Sequence, residues 1–178
     1  MNLESPDFDK RAYLKKLESF VYLILMVPLF FFAWVFLETE KRGGLRSVMF
    51  EDTDWLFHGV MGIAVMYVLM RTVGTWRRDI LRALESTPQL DVKLQRMFKP
   101  IIYRNIMWGL GAAVGAYGIY EKGDMIYALV FTLFLMLMTT NRPTGRYFSR
   151  FLRLKGEEKA WMEDRKLPDS DDSEGKPK

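Results

Sequence analysis

Charged residues in this chain fall in dense runs, and the runs are separated by four blocks that hold almost none. Residues 20–37 carry no charge and include the aromatic run Phe30, Phe31, Phe32, Trp34 and Phe36. Residues 55–73 are interrupted only by His58 near their start and Arg71 near their end. Residues 101–120 place Arg104 and Asn105 in their first turn, and residues 125–140 are again uncharged. Each block approaches the roughly 20 apolar residues that cross a bilayer core. The pattern predicts an all-α, polytopic membrane protein with four transmembrane helices. The first block ends in Glu38-Thr39-Glu40-Lys41-Arg42 without a small-residue cleavage site, so it is expected to be retained and not removed as a signal peptide.

Between the blocks the spacing predicts further helix. Trp76, Ile80, Leu81 and Leu84 recur at helical intervals after the second span, and Leu90, Leu94, Met97, Phe98 and Ile101 do so before the third. Ser86-Thr87-Pro88 marks a turn between them. A helical hairpin near 74–100, projecting from the membrane, is expected, with Pro100 kinking its returning arm or starting a new helix there. Two short helices lying flat on the bilayer are the alternative. After the fourth span comes the breaker Asn141-Arg142-Pro143-Thr144-Gly145. Phe148, Phe151 and Leu152 then form an apolar stripe flanked by Arg146, Arg150, Arg153 and Lys155, which reads as an interfacial basic helix with its aromatic face in the acyl boundary. The chain thus divides into a cytoplasmic amphipathic segment at 1–19, a membrane domain at 20–160, and a polar tail at 161–178 expected to be disordered.

Lysine and arginine placement sets the orientation. Residues 1–19 carry four, the 38–54 loop three, residues 71–104 eight, the 121–124 turn one, and residues 141–178 ten. By the positive-inside rule both termini and the 74–100 hairpin are cytoplasmic. Arg77, Arg78 and Arg82, together with Arg146, Arg150 and Arg153, are the residues expected to meet anionic lipid headgroups. A sequence pI near 9.2 also suits nucleic acid, but cations gathered beside apolar spans favour a membrane surface, and no nucleic-acid partner is expected.

Composition narrows the chemistry. The chain has no cysteine and a single histidine. A disulfide framework, a Cys-bound metal and a haem held by two histidines of this chain are therefore excluded. No Walker loop, His-Glu-x-x-His or Gly-x-Ser-x-Gly spacing occurs. No cofactor, metal or catalytic residue is expected. The third span is the most informative segment: Gly109, Gly111, Ala112, Ala113, Gly115, Ala116 and Gly118 put seven small residues in ten positions. Helices in lipid associate through close backbone approach over small residues, so this helix is expected to pack against other helices, within the chain or between chains. Gly59 and Gly62 give the second span small residues of its own and make it the expected neighbour of the third. Glu38, Glu51, Asp54 and His58 lie at the outer ends of the first two spans and could form an acidic mouth. The plainer expectation is a helix cap at Asp54 and a histidine reaching the headgroups.

The fourth span followed by Asn141-Arg142-Pro143-Thr144, a basic helix and Leu154-Lys155-Gly156-Glu157-Glu158-Lys159 resembles the C-terminal half of small uncharacterised four-helix bacterial inner-membrane proteins. The similarity covers roughly residues 90–160. It implies a multi-pass protein of the bacterial inner membrane and transfers no function.

Three functional classes follow. The favoured one is a non-catalytic membrane subunit or self-assembling scaffold, working as a homo-oligomer or inside a larger membrane complex. The alternative is a homo-oligomeric ion channel or small transporter with the acidic outer mouth. A membrane enzyme is the least supported, resting on His58 and its neighbouring acids alone. The orientation is directly testable, because single cysteines can be introduced into a chain that has none. Cysteines near the N-terminus, Thr87 and the C-terminus should react only from the cytoplasmic side, and one at Gly44 only from the outside; outside labelling at Thr87 overturns the orientation.

Overall fold

A computed structural model describes residues 9–45, 55–85 and 90–163. Among the described residues there are helices and no strand. The long elements are α1 (Lys10–Lys41), α2 (Trp55–Glu85), α3 (Leu90–Lys122) and α4 (Met125–Thr140); α5 (Gly145–Phe151) and α6 (Gly156–Met162) are short. By length and composition α1 and α2 are apolar enough to cross a membrane, and α4 with α5 makes a third candidate bent by 90°. The third charge-poor block lies within α3, which does not join them. Arg104, Asn105, the tyrosines and the glycines of this block lower its hydropathy.

Several boundaries differ from the sequence expectation. The segment at 1–19 is not a separate unit in its described part. Residues from Lys10 onward are the first turns of α1, capped by the Asp9 carboxylate, which accepts from the Arg11 and Ala12 amides at 2.9 and 3.1 Å. The side chains of Leu17 and Val21 on these turns are buried. The arms of the expected hairpin are continuations of α2 and α3, each about 45–50 Å long at the helical rise, and the turn at 86–89 lies outside the described residues. Pro100 neither ends nor restarts the returning arm, since α3 runs through it. Trp161 and Met162 belong to α6 and not to a disordered tail. Met162 is buried, and the Lys10 ammonium donates to the Trp161 carbonyl at 2.5 Å.

Each of the other long helices packs principally on α3. Its closest partner is α4, and the turn between them explains why. Only Gly123 and Asp124 separate the two helices. Gly123 takes φ +63°, which favours glycine, and Asp124 caps α4 by accepting from the Ile126 amide at 3.0 Å. So short a connection lays α4 back along α3. A side chain at Gly118 would strike the Tyr127 ring, and one at Gly111 the Phe134 ring. A Cβ at Gly115 would lie 2.8 Å from the Phe131 backbone nitrogen and 3.1 Å from the Tyr127 carbonyl oxygen. One turn back along α3 thus meets one turn forward along α4, with two aromatic rings and one stretch of α4 backbone in the space that glycine leaves open. Ala112 and Ala116 are fully buried beside this seam, and Gly109 faces α1, 3.8 Å from Ile24 Cγ2.

The core divides into two clusters. One lies toward the acidic end of the helices and gathers Val35, Met61, Trp108, Phe131, Phe134 and Met138. The other lies toward the basic end and gathers Leu17, Leu94, Met97, Ile101, Phe148 and Leu152. The second cluster corrects the reading of the segment after α4. Phe148 is fully buried, and Tyr147 and Leu152 are nearly so. The aromatic face of α5 therefore packs into the protein and not into an acyl boundary, while Arg146, Arg150 and Arg153 stay exposed.

Gly115 should be the least tolerant position of the seam. Gly115→Ala forces two backbones apart and is expected to cost on the order of 1–3 kcal/mol, with Gly115→Leu worse. Leu129→Ala, on the exposed face of α4, is the matched control and should change little. Thermal aggregation in mild detergent measures both, and a Gly115→Leu protein as stable as the parent would contradict the close α3–α4 approach.

Candidate functional site

At the acidic end, the four residues expected to form a mouth do not assemble among the described residues. Glu51 and Asp54 lie outside them. Glu38 is paired locally, with the Lys41 ammonium at 3.4 Å and the Arg42 guanidinium at 3.6 Å. Arg42 also donates to the Tyr120 hydroxyl at 2.9 Å and lies over that ring, which stacks on Trp34. The Tyr120 hydrogen bond, aided by Glu38 and Glu121, holds the Arg42 guanidinium above its ordinary pKa. These contacts tie the end of α1 to the end of α3 and answer the Glu38 charge within the chain.

His58 also departs from its expected role. It does not reach out from the protein: its ring stacks parallel to Tyr127, with Nδ1 2.6 Å from the Tyr127 hydroxyl. Tyr127 is the residue that occupies the Gly118 notch, so the histidine braces α2 against the α3–α4 seam. Among the described residues no three histidine or acidic side chains gather around one point.

Two of the predicted packing glycines are not packing positions here. Gly59 and Gly62 are exposed, and a Cβ at either meets nothing within 4 Å. The helix α2 reaches α3 through Met61, Val65, Val68 and Leu69 instead. Helical phase explains the error: Gly59 and Gly62 share a face that points away from α3.

The polar group that sequence reasoning misplaced is Arg104. Its position one turn inside the third span suggests a side chain reaching out to the headgroups. In the structure Arg104 is only 3% exposed. Its guanidinium lies 3.9 Å from the Trp76 ring centre, 4.6 Å from Trp108 and 5.4 Å from Tyr147. Nε and Nη2 have no hydrogen-bond partner among the described residues, nor do the Tyr147 hydroxyl and Asn105 Oδ1. Asn105, fully buried beside it, donates to the Ile101 carbonyl at 2.9 Å. A guanidinium over an aromatic face gains about 2 kcal/mol when desolvated, and three rings surround this one. The rings come from α2, α3 and α5, so the cation joins three elements where the two apolar clusters meet. The signal in the sequence is faint: Trp76, Trp108 and Tyr147 are far apart along the chain, and only α3 supplies a helical interval, from Arg104 to Trp108.

The remaining predicted headgroup residues sit on the surface. Arg77, Arg78 and Arg82 are exposed on α2. Arg78 Nε donates to the Gly74 carbonyl at 3.2 Å, and Arg82 lies 3.9 Å from Asp79.

The aromatic setting of Arg104 makes a specific demand. Arg104→Lys replaces a flat, weakly hydrated cation with a compact, strongly hydrated one. It is expected to cost about 1–2 kcal/mol, whereas Arg104→Met, which fills the space without a charge, should be milder. Thermal unfolding in detergent orders the two, and a lysine variant equal to the parent would mean that the rings do not hold the guanidinium.

Comparison with protein-family models, with curated protein sequences and with solved structures finds no match to this chain.

Proposed function

We propose that this chain is an integral membrane protein that crosses a bilayer four times through α1–α4, with both termini on the cytoplasmic side, and that it serves as a non-catalytic subunit or self-assembling scaffold. The observation that carries the proposal is the apolar surface left uncovered on three helices. Leu23, Val27, Phe30 and Leu37 on α1, Leu56, Val60, Ile63, Met66 and Met70 on α2, and Leu129, Leu133 and Met136 on α4 are all exposed. Soluble monomers rarely leave apolar patches larger than a few hundred Å² open. Here the exposed residues form bands that stop where the charges begin, which suits hydrocarbon between two aqueous faces. The low hydropathy of α3 fits the same reading, because three other helices cover most of it and leave open one face with Ile106 and Leu110. The basic end, with its excess of lysine and arginine, takes the cytoplasmic side. A bacterial inner membrane is proposed on the resemblance of the C-terminal half alone.

Assembly is supported by small residues that the single chain leaves open. Gly59 and Gly62 lie among exposed apolar neighbours on α2. An apolar groove of about 270 Å³ runs between α1 and α3 over Pro28, Gly109 and Ala113. Both permit the close backbone approach by which membrane helices associate. The channel alternative gains no matching support, since Glu38 is already paired with cations of its own helix end.

Two measurements test the proposal. The chain should stay with membranes through an alkaline carbonate wash, and its native mass in mild detergent should exceed one copy. A Cβ at Gly59 or Gly62 meets nothing within 4 Å, so Gly59→Leu with Gly62→Leu should leave thermal stability unchanged while reducing the assembled mass. A parent that is monomeric and has no partner, or release by carbonate, overturns the reading.

A further inference from the structure

The ends of α2 and α3 that carry the arginines enclose a groove of about 380 Å³, within the roughly 300–1,000 Å³ typical of small-ligand sites. Arg71, Arg78 and Arg82 line it from α2, and Lys99 and Tyr103 from α3. The α2 residues lie at i, i+7 and i+11, which places them on one face. Arg77, expected from the sequence to join them, does not line the groove. Four cations thus face one acid, Asp79, which sits 3.9 Å from Arg82. No ion pair forms to Arg71 or Lys99 among the described residues. A groove with this surplus of positive charge suits an anion, and planar guanidinium donors beside an ammonium and a phenol suit phosphate oxygens.

The position of the groove selects the source of that phosphate. Arg71 is the first charge after the uncharged stretch of α2, and Tyr103 lies where the charges of α3 end. The groove therefore straddles the border between the apolar band and the basic end. On its apolar side Tyr67 and Met70 of α2 and Ile106 of α3 are exposed, a surface that acyl chains can cover. Free phosphate would make no use of it.

We propose that this groove is a binding site for the phosphate headgroup of an anionic glycerophospholipid, held by Arg71, Arg78, Arg82 and Lys99 with its acyl chains along Tyr67, Met70 and Ile106. The inference rests on the membrane reading and adds to it one defined lipid site, distinct from the diffuse attraction that any basic surface has for anionic headgroups. Its residues are separate from the exposed arginines of α5.

The test uses the full chain in neutral detergent, with native mass spectrometry counting bound phosphatidylglycerol and phosphatidylcholine during titration. Phosphatidylglycerol is expected to be retained in preference. Arg71→Ala with Lys99→Ala should weaken that retention by at least about tenfold, and Arg71→Lys should recover part of it. Arg11→Ala with Lys15→Ala, at exposed positions of α1, removes the same net charge outside the groove and should barely change retention. Equal loss in this control, equal retention of the two lipids, or displacement of phosphatidylglycerol by inorganic phosphate would each overturn the site. Carbonate extraction of the same variants separates the two levels. A chain that leaves the membrane overturns the membrane reading and the site together, whereas one that stays inserted without lipid preference overturns the site alone.

Discussion

The contact on which this fold depends is the seating of the α4 aromatic ridge in the glycine notches of α3. The Tyr127 and Phe134 rings occupy the space that side chains at Gly118 and Gly111 would take, and the α4 backbone at Phe131 fills that beside Gly115. Two other helices then build on Tyr127 and Phe131. Phe131 stacks on Phe32 of α1 with ring centres 4.1 Å apart, and Tyr127 meets His58 of α2. Neither contact forms unless α4 lies close along α3. The two-residue turn imposes that closeness, and glycine tolerates it. In lipid, where apolar surfaces gain little by meeting one another, such dense contact is the principal attraction available.

The face of α3 that its three neighbours cover holds residues that an exposed apolar helix would not. It carries glycines, a buried asparagine and a buried arginine that an outward-facing helix would not tolerate. Arg104 is the sharpest instance. An isolated buried charge is costly, and truncating one partner of a buried pair is strongly destabilising. Here no carboxylate answers the charge among the described residues; aromatic faces do. Tyr147 and Trp76 pack on Phe151 as well as on the arginine, so the same rings that accommodate the cation also dock α5. The short helices after α4 are thereby drawn into the protein. Lys10 completes this at the other end of the chain, binding the Trp161 carbonyl and joining α6 to the start of α1.

The two ends of the molecule are built differently. At the acidic end, charge is settled locally through Glu38, Lys41, Arg42 and Tyr120. At the basic end, Arg71, Arg78, Arg82 and Lys99 converge on one groove with a single opposing acid. The proposed lipid site rests on this imbalance and on the exposed apolar residues beside it.

The sequence alone carries the helical class, the four charge-poor blocks, the short connection at 121–124 and the small-residue seam in the third block. These are local properties, written in the spacing of apolar residues and in glycine placement within a few turns. It also located the basic segments, because lysine and arginine can be counted without knowing where they point. Tertiary structure alone decided which face of each helix is used. Gly59 and Gly62 are small residues like Gly111 and Gly115, but helix rotation leaves the first pair open and closes the second. Phe148 and Leu152 form an amphipathic stripe that suits a bilayer surface or a protein core equally well, and the bend after α4 turned it toward the core. Arg104 lay in view as a charge at a span boundary. Its partners come from three helices, and no periodicity within one helix encodes a meeting among three.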